Sequence, residues 1–198
     1  MRLTIPNQLT LLRILLTPVF VILILKKTAF TQMSASAIFA IAALTDWYDG
    51  WFARKFGVIT RIGQFMDPLA DKILVTSALV VFAVLDYIFV WMVWVIVIRD
   101  SFITLNRMFA IRVGKPIITS VLAKWKTAAQ MLTIFLILAF INWRNFLAGD
   151  TQPYTPRYDD LIGIAMSIVT LLTVLSGLIY IWENRELILN LLRKMVRL

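Results

Sequence analysis

The sequence predicts an all-α integral membrane protein built as a bundle of six transmembrane helices. Of its 198 residues, 61% are hydrophobic and only 16% are charged, and the mean hydropathy is +0.85. Soluble domains have roughly 45–50% apolar and about 25% charged residues. Uncharged runs also recur along the chain, and about 20 apolar residues suffice to cross a bilayer. The predicted helices cover residues 9–25, 34–54, 69–85, 88–112, 122–142 and 161–182.

The first helix depends on an apolar run at residues 14–25, which becomes long enough to span only when residues 9–13 join it. That extension places Arg13 near one mouth of the membrane, where a long basic side chain can snorkel to the headgroups. The segment has no small-residue cleavage pattern and only Arg2 as a leading positive charge. We therefore expect a permanent span and not a signal peptide.

The other helices follow from the remaining apolar runs. Residues 28–45 supply the second helix, and residues 127–143 and 161–182 supply the last two. Between residues 73 and 98 only Asp86 interrupts the apolar sequence. A carboxylate in mid-membrane is energetically costly, so Asp86 indicates a turn between helices three and four. Without a repeat or a linker, residues 1–198 are expected to form one domain.

The net charge of +9 predicts the orientation of the bundle. Fifteen of the 20 basic residues fall on the side that holds both termini and the connections after helices two and four. Only Lys26, Lys27, Arg144 and Arg157 fall on the other side. By the positive-inside rule, both termini are expected in the cytoplasm. A sequence pI near 10.2 also suits a nucleic-acid binder, but the apolar excess favours a membrane.

The sequence contains no cysteine and no histidine, which excludes disulfides, thiol nucleophiles, Cys/His zinc sites and Ser-His-Asp catalysis. Any chemistry must use carboxylates, lysines, arginines, hydroxyls and oxygen-bound metals. Four of the eleven acidic residues lie within 26 positions: Asp46, Asp49, Asp67 and Asp71. The first two are spaced to share a helix face. The second two fall at the predicted start of helix three, where Pro68 suits the first position and Asp67 can cap.

These two carboxylate pairs face each other if the short connection folds helices two and three antiparallel. Four negative charges in a partly dehydrated site repel by several kcal/mol unless cations neutralise them. Oxygen-only ligands favour hard cations, and four carboxylates match two Mg²⁺ or Mn²⁺ ions. The alternative is that the aspartates cap helices and pair with Arg54, Lys55, Arg61 and Lys72, which explains some of the four but not their convergence.

Small residues accompany the aspartates and complete a motif. Gly50, Ala53 and Gly63 leave room for a ligand with phosphates beside the metals, and the pattern reads D-x2-D-G-x2-A-R-x8-G-x3-D-x3-D. All eight fixed positions resemble the signature of the CDP-alcohol phosphotransferase family. Residues 5–13, 68–72, 98–107 and 124–131 also look like the subgroup that makes phosphatidylglycerophosphate, so the resemblance covers residues 4–182.

The resemblance implies six transmembrane helices, a homodimer and a cytoplasm-facing polar active-site cavity with two divalent metals. It also implies transfer of a phosphatidyl group from CDP-diacylglycerol to an alcohol, with release of CMP, in a bacterial inner membrane. Carried over residue by residue, Asp71 would be the catalytic base, and Asp46, Asp49, Asp67 and Asp71 would bind the metals. The CDP group would contact Asn7, Thr10, Asp46, Asp49, Gly50, Ala53, Arg54 and Gly63.

The acceptor alcohol decides the reaction. A phosphorylated acceptor such as glycerol-3-phosphate needs fixed cations, for which Arg107, Arg112, Lys124 and Lys126 are candidates, although such residues also serve as positive-inside anchors.

Arg99 and Asp100 leave a second acceptor open. This pair resembles the cardiolipin synthases of the same family, which use phosphatidylglycerol, but it can equally be an ion pair that fixes helix four. A cation transporter and a purely structural subunit are the alternatives from other classes. Transport sites usually lie nearer the bilayer midplane than these aspartates do.

Overall fold

The computed structural model describes residues 5–56, 61–112, 121–148 and 154–185, and every regular element in these ranges is helical. The all-α prediction is therefore confirmed. In chain order the α-helices are α1 Ile5–Leu25, α2 Ala29–Phe56, α3 Arg61–Val84, α4 Val90–Arg112, α5 Val121–Trp143 and α6 Leu161–Glu183. A π-helical turn, Arg144–Ala148, extends the end of α5.

The first three helices begin earlier than predicted, by four, five and eight residues. The predicted starts lay near or inside the apolar runs, whereas helical backbone hydrogen bonding begins earlier, in the residues that precede each predicted start. At α2 the start is set by Thr28, whose hydroxyl oxygen accepts a 3.3 Å hydrogen bond from the backbone N–H of Thr31. This is the contact expected of an N-cap threonine.

The start of α3 corrects one prediction. Because α3 begins at Arg61, Pro68 lies inside the helix, and the expectation that Asp67 caps it at Pro68 is wrong. Proline removes only its own N–H from the hydrogen-bond ladder, and membrane helices tolerate that loss when the surrounding structure compensates. The first helix also contains an internal proline, Pro18.

The predicted turn between helices three and four is confirmed. Asp86 has a φ of 60°, in the left-handed region where aspartate is enriched among non-glycine residues. The N–H of Tyr87 donates to the carbonyl of Phe82 at 2.8 Å, and the N–H of Asp86 donates to Ala83 at 3.2 Å. These two bonds form a Schellman motif that satisfies the last carbonyls of α3.

The buried side of α1 changes character along the helix. α1 packs mainly against α2 and α3, and α6 packs against α4 and α5. The buried side of α1 is polar in its first half, at Thr10, Arg13 and Thr17, and apolar in its second half, at Phe20 and Ile24. The first half of α1 therefore buries polar groups, and its second half buries apolar ones.

Three helical segments within the described ranges are long and apolar enough to cross a membrane: Gln8–Leu25, Val121–Phe146 and Leu161–Glu183. Apolar residues cover the outside of these helices as well as the inside. On α6, for example, Leu171 and Leu178 point outward and are more than half exposed, while Met166 and Val169 are buried. A helix that is apolar all round belongs in lipid or in a large core, so the chain is a membrane protein.

Candidate active site

The four motif aspartates lie on two helices. Asp46 and Asp49 belong to the second half of α2, and Asp67 and Asp71 belong to the first half of α3. The side chains of Asp46 and Asp71 are described, and both are partly exposed. Those of Asp49 and Asp67 lie outside the described part of the chain. The predicted convergence of all four carboxylates therefore stays a prediction.

Arg13 forms an ion pair with the first motif aspartate. Its guanidinium contacts the Oδ1 atom of Asp46 and is fully buried, while the Asp46 side chain is 36% exposed. The expectation that Arg13 snorkels to the membrane surface is therefore wrong, because a carboxylate on the neighbouring helix supplies its partner. Arg13 was the only charged residue in the predicted first span, and a lone arginine there is itself a signal for a buried acidic partner.

The predicted nucleotide-binding residues are described only in part. Thr10 lies one turn before Arg13 on the buried side of α1 and has no exposed surface. Its hydroxyl group therefore lies among the buried polar residues in the first half of α1. The side chains of five other predicted residues lie outside the described residues: Asn7, Gly50, Ala53, Arg54 and Gly63.

A second buried ion-pair site lies at Asp100 on α4, which contacts basic side chains from three helices. Lys72 of α3 contacts its Oδ2 atom at 3.1 Å, and Arg99 of α4 contacts its Oδ1 atom at 2.9 Å. Lys126 of α5 donates to both oxygens, at 2.7 and 2.6 Å, and to Gln130 at 2.6 Å. Asp100 is 4% exposed and Lys126 is fully buried. We call the four ionised side chains, Lys72, Arg99, Asp100 and Lys126, the Asp100 cluster.

The Asp100 cluster also reaches α6. The second guanidinium nitrogen of Arg99 donates to the hydroxyl of Ser176 at 2.8 Å. A Cβ atom at Gly177 would lie 3.2 Å from the Cγ atom of Arg99, so the absence of a side chain at Gly177 lets Arg99 pack closely against α6. The predicted ion pair of Arg99 with Asp100 is confirmed. The sequence did not reveal its extension to Lys72 and Lys126, because these residues are 28 and 26 positions away from Asp100 along the chain.

The predicted acceptor-binding cations lie in different environments. Arg107 on α4 is partly exposed, and Lys124 at the start of α5 is exposed. Lys126, two residues later, is buried against Asp100 and Gln130, which favours a structural role over direct contact with a phosphate. The side chain of Arg112 lies outside the described residues. Lys124 and Arg107 thus fit an accessible cationic surface best.

The carboxylates suit hard divalent cations. Within the described residues no three acidic, cysteine or histidine side chains come together as a metal site. Asp46 and Asp71, the two motif aspartates with described side chains, supply only oxygen donors, as Mg²⁺ and Mn²⁺ prefer. One oxygen of Asp46 contacts Arg13. A charged donor on one oxygen orients a carboxylate whose second oxygen can bind a cation.

These features define a helical membrane protein with carboxylates and buried ion pairs on adjoining helices. Residues 3–175 match the sequence profile of the CDP-alcohol phosphatidyltransferase family. The chain belongs to this family and is a phosphatidyltransferase, as the motif indicated.

Three relatives are named CDP-diacylglycerol–glycerol-3-phosphate 3-phosphatidyltransferase. The protein of Bacillus subtilis (strain 168) is 32% identical over 193 residues, covering 91% of this chain and 95% of the relative. That of Shigella flexneri serotype 5b is 34% identical over 197 residues, covering 96% and 100%. That of Blochmanniella floridana is 38% identical over 157 residues, covering 76% and 82%.

Proposed function

We propose that this chain transfers the phosphatidyl group of CDP-diacylglycerol to glycerol-3-phosphate, giving phosphatidylglycerophosphate and CMP. The observation that carries this proposal is the near full-length similarity to relatives that are named for this reaction, at 32% and 34% identity over more than nine-tenths of the chain. The intact aspartate motif at residues 46–71 supports the same chemistry.

The aspartates would hold the divalent cations of the reaction. We assign this role to Asp46, Asp49, Asp67 and Asp71, which together match the charge of two Mg²⁺ or Mn²⁺ ions. When bound, such ions neutralise the pyrophosphate of CDP-diacylglycerol and stabilise the leaving oxygen of CMP. The contact of Arg13 with Asp46 supports the assignment, because it holds one carboxylate in a fixed orientation.

The reaction forms a bond between the acceptor hydroxyl oxygen and the phosphorus that carries diacylglycerol, and it breaks the bond from that phosphorus to CMP. Asp71 would accept the proton of the hydroxyl group. A carboxylate beside cations is a weak base. Proton transfer to Asp71 therefore belongs late in the reaction, and orienting the hydroxyl is the larger part of its role.

Two groups of residues would bind the two substrates. Asn7, Thr10, Gly50, Ala53, Arg54 and Gly63 would surround the cytidine nucleotide with Asp46 and Asp49. Arg107, Arg112 and Lys124 would bind the phosphate of the acceptor, since arginine and lysine both pair with phosphate oxygens. Lys126 would contribute indirectly, because its amine is already bound to Asp100.

The same assignment implies six membrane-spanning helices, a cavity open to the cytoplasm of a bacterial inner membrane, and a homodimer. Three helical segments in the described part of the chain meet the length and hydropathy expected of a span. The others, α2, α3 and α4, carry charged residues toward one end. That placement suits helices that cross the membrane and extend into the cytoplasmic interface.

An acceptor panel tests the proposed function. Purified protein in detergent, supplied with CDP-diacylglycerol and Mg²⁺ or Mn²⁺, should release CMP with glycerol-3-phosphate. It should not do so with phosphatidylglycerol, myo-inositol phosphate or serine. A preference for phosphatidylglycerol would instead assign cardiolipin synthesis. Ion flux in sealed liposomes without lipid substrates would favour transport.

Two further measurements test the metal and base assignments. Asp71→Asn should lower turnover about a thousandfold, equivalent to about 4 kcal/mol of barrier. Excess chelator should abolish CMP release by the wild-type protein. Full activity in chelator would contradict the metal sites, and near-normal turnover of Asp71→Asn would remove Asp71 from the reaction.

A further inference from the structure

The carboxylate of Asp100 is held in place from two sides. Lys126 of α5 bridges both of its oxygens and is itself fixed by Gln130. Arg99 contacts the same carboxylate while it bonds to Ser176 of α6. Neither Asp100 nor Lys126 has appreciable exposed surface. The Asp100 carboxylate is therefore held in one position and can anchor a side chain from a further helix.

Helix α3 contacts this carboxylate through Lys72, whose amine lies 3.1 Å from the Oδ2 atom of Asp100. Lys72 directly follows Asp71 in the sequence. Neighbouring residues on an α-helix are separated by about 1.5 Å along the axis and about 100° around it. A helix rotation that broke the Lys72 contact would therefore turn the Asp71 carboxylate away from its present direction. The contact fixes the rotation of α3 at the level of Asp71.

We propose that Asp100 is a positioning residue for the metal-binding carboxylates, and that it acts by anchoring Lys72 and thereby fixing the direction of Asp71. This inference rests on the proposed function, because it assumes that Asp71 binds a divalent cation. It assigns a role in cation binding to a side chain that lies outside the aspartate motif.

The variant Lys72→Met separates positioning from a simple charge effect. Removing a positive charge near a cation site should strengthen cation binding if only electrostatic repulsion is involved. If Lys72 anchors α3, its removal should weaken binding despite the lost repulsion. This variant keeps the contacts of Asp100 with Arg99 and Lys126, whereas Asp100→Asn leaves the buried Lys126 without a carboxylate and endangers folding.

The experiment measures Mn²⁺ affinity by electron paramagnetic resonance on the monodisperse fraction of each purified protein in detergent. Lys72→Met should bind Mn²⁺ about tenfold more weakly than the wild type, and Lys72→Arg should restore most of the affinity. The Mn²⁺ concentration for half-maximal CMP release should rise by the same factor, and saturating Mn²⁺ should recover turnover. Unchanged or tighter Mn²⁺ binding by Lys72→Met would overturn the inference.

Two further variants complete the test. Asp100→Glu keeps the charge and should stay within about threefold of the wild type. Asp86→Asn is the matched control, because it removes a carboxylate from an exposed turn whose left-handed backbone asparagine also favours, and its Mn²⁺ affinity should not change. A wild-type protein that binds Mn²⁺ and releases CMP while Lys72→Met binds equally well would contradict only the positioning role. A wild type that binds no Mn²⁺ would overturn the positioning role, and one that also releases no CMP with Mg²⁺ or Mn²⁺ would overturn the proposed function as well.

Discussion

At the residue scale, two buried basic side chains are paired with carboxylates on other helices. Arg13 on α1 contacts Asp46 on α2, and Lys126 on α5 contacts Asp100 on α4. An isolated charge inside a membrane bundle is costly, and opposite charges in contact remove much of that cost. Each pair therefore ties two helices together, and the first pair does so at a residue of the aspartate motif.

Replacement of Arg13 should show whether activity depends on its charge, which pairs with Asp46, or only on its packing. Arg13→Gln leaves Asp46 without its charged partner, and we expect turnover to fall about 10- to 100-fold, as is typical when a partner of a metal-binding carboxylate is lost. Arg13→Lys keeps the charge and should fall less. CMP release measured over a range of Mn²⁺ concentrations checks this. Lys26→Gln, at the exposed end of the same helix, is the control; equal activity of Arg13→Gln and the control would rule out the orienting role.

At the element scale, the start of α6 depends on a single aspartate. Asp160 accepts a 2.7 Å hydrogen bond from the backbone N–H of Gly163 and a second bond from the hydroxyl of Tyr154. Gly163 leaves no space for a side chain, because a Cβ atom there would lie 1.7 Å from the carbonyl oxygen of Arg157. The α5–α6 connection thus closes directly over the first turn of α6.

Removal of this cap should destabilise the protein measurably. Asp160→Ala should lower the free energy of unfolding by about 1–2 kcal/mol, the usual cost of losing an N-cap aspartate. Thermal unfolding of the purified protein in detergent measures the change. The neighbouring Asp159→Ala is the matched control, since Asp159 is exposed and pairs only with the exposed Arg157 in the described contacts. Equal melting temperatures for the two variants would show that Asp160 is not a stabilising cap.

Tyr154 gives the same connection a pH dependence. Burial is the main cause that raises the pKa of Tyr154 well above its usual value near 10, and the hydrogen bond to Asp160 raises it further. The folded state therefore keeps a proton that the unfolded chain loses in alkali. The resulting stability is fully present below about pH 10 and declines as the pH rises further.

The variant Tyr154→Phe isolates this contribution. Its melting temperature should fall below that of the wild type at pH 8, and the difference should shrink as the pH rises above 10. Tyr158→Phe, which loses a surface contact with Trp91, corrects for general effects of removing a tyrosine hydroxyl. A difference between Tyr154→Phe and the wild type that stays constant from pH 8 to 11 would contradict the assigned cause.

At the scale of the whole molecule, the sequence predicted the six α-helices of the described ranges and the turn at Asp86, because both follow from local hydrophobicity. It misplaced the start of α3 because Pro68 is a reliable boundary signal only where packing does not compensate for the lost hydrogen bond. It could not predict that Lys72 and Lys126 meet at Asp100, since that contact depends on how distant helices pack. The aspartate motif was visible because its spacing is short and acidic residues are scarce.

The membrane topology can be tested cleanly because the chain contains no cysteine. Single-cysteine variants at Lys26, Lys124 and Asp159 can be labelled with a membrane-impermeant maleimide in intact spheroplasts and in lysed membranes. If all six helices span from a cytoplasmic N-terminus, Lys26 and Asp159 lie outside and Lys124 lies inside. If only the helices of the three apolar segments span, the N-terminus and Lys26 keep their sides, but Lys124 lies outside and Asp159 inside.

The labelling pattern therefore decides between the two arrangements. We expect Lys26→Cys and Asp159→Cys to react in intact spheroplasts and Lys124→Cys to react only after lysis, because the positive-inside rule predicts a cytoplasmic location for the side that carries Lys124 and most basic residues. Lys26→Cys serves as the orientation control, since it faces outward in both arrangements. Reaction of Lys124→Cys without lysis, together with protection of Asp159→Cys, would contradict six spans. It would also place Lys124, the lysine proposed to bind the acceptor, on the side opposite to the N-terminus.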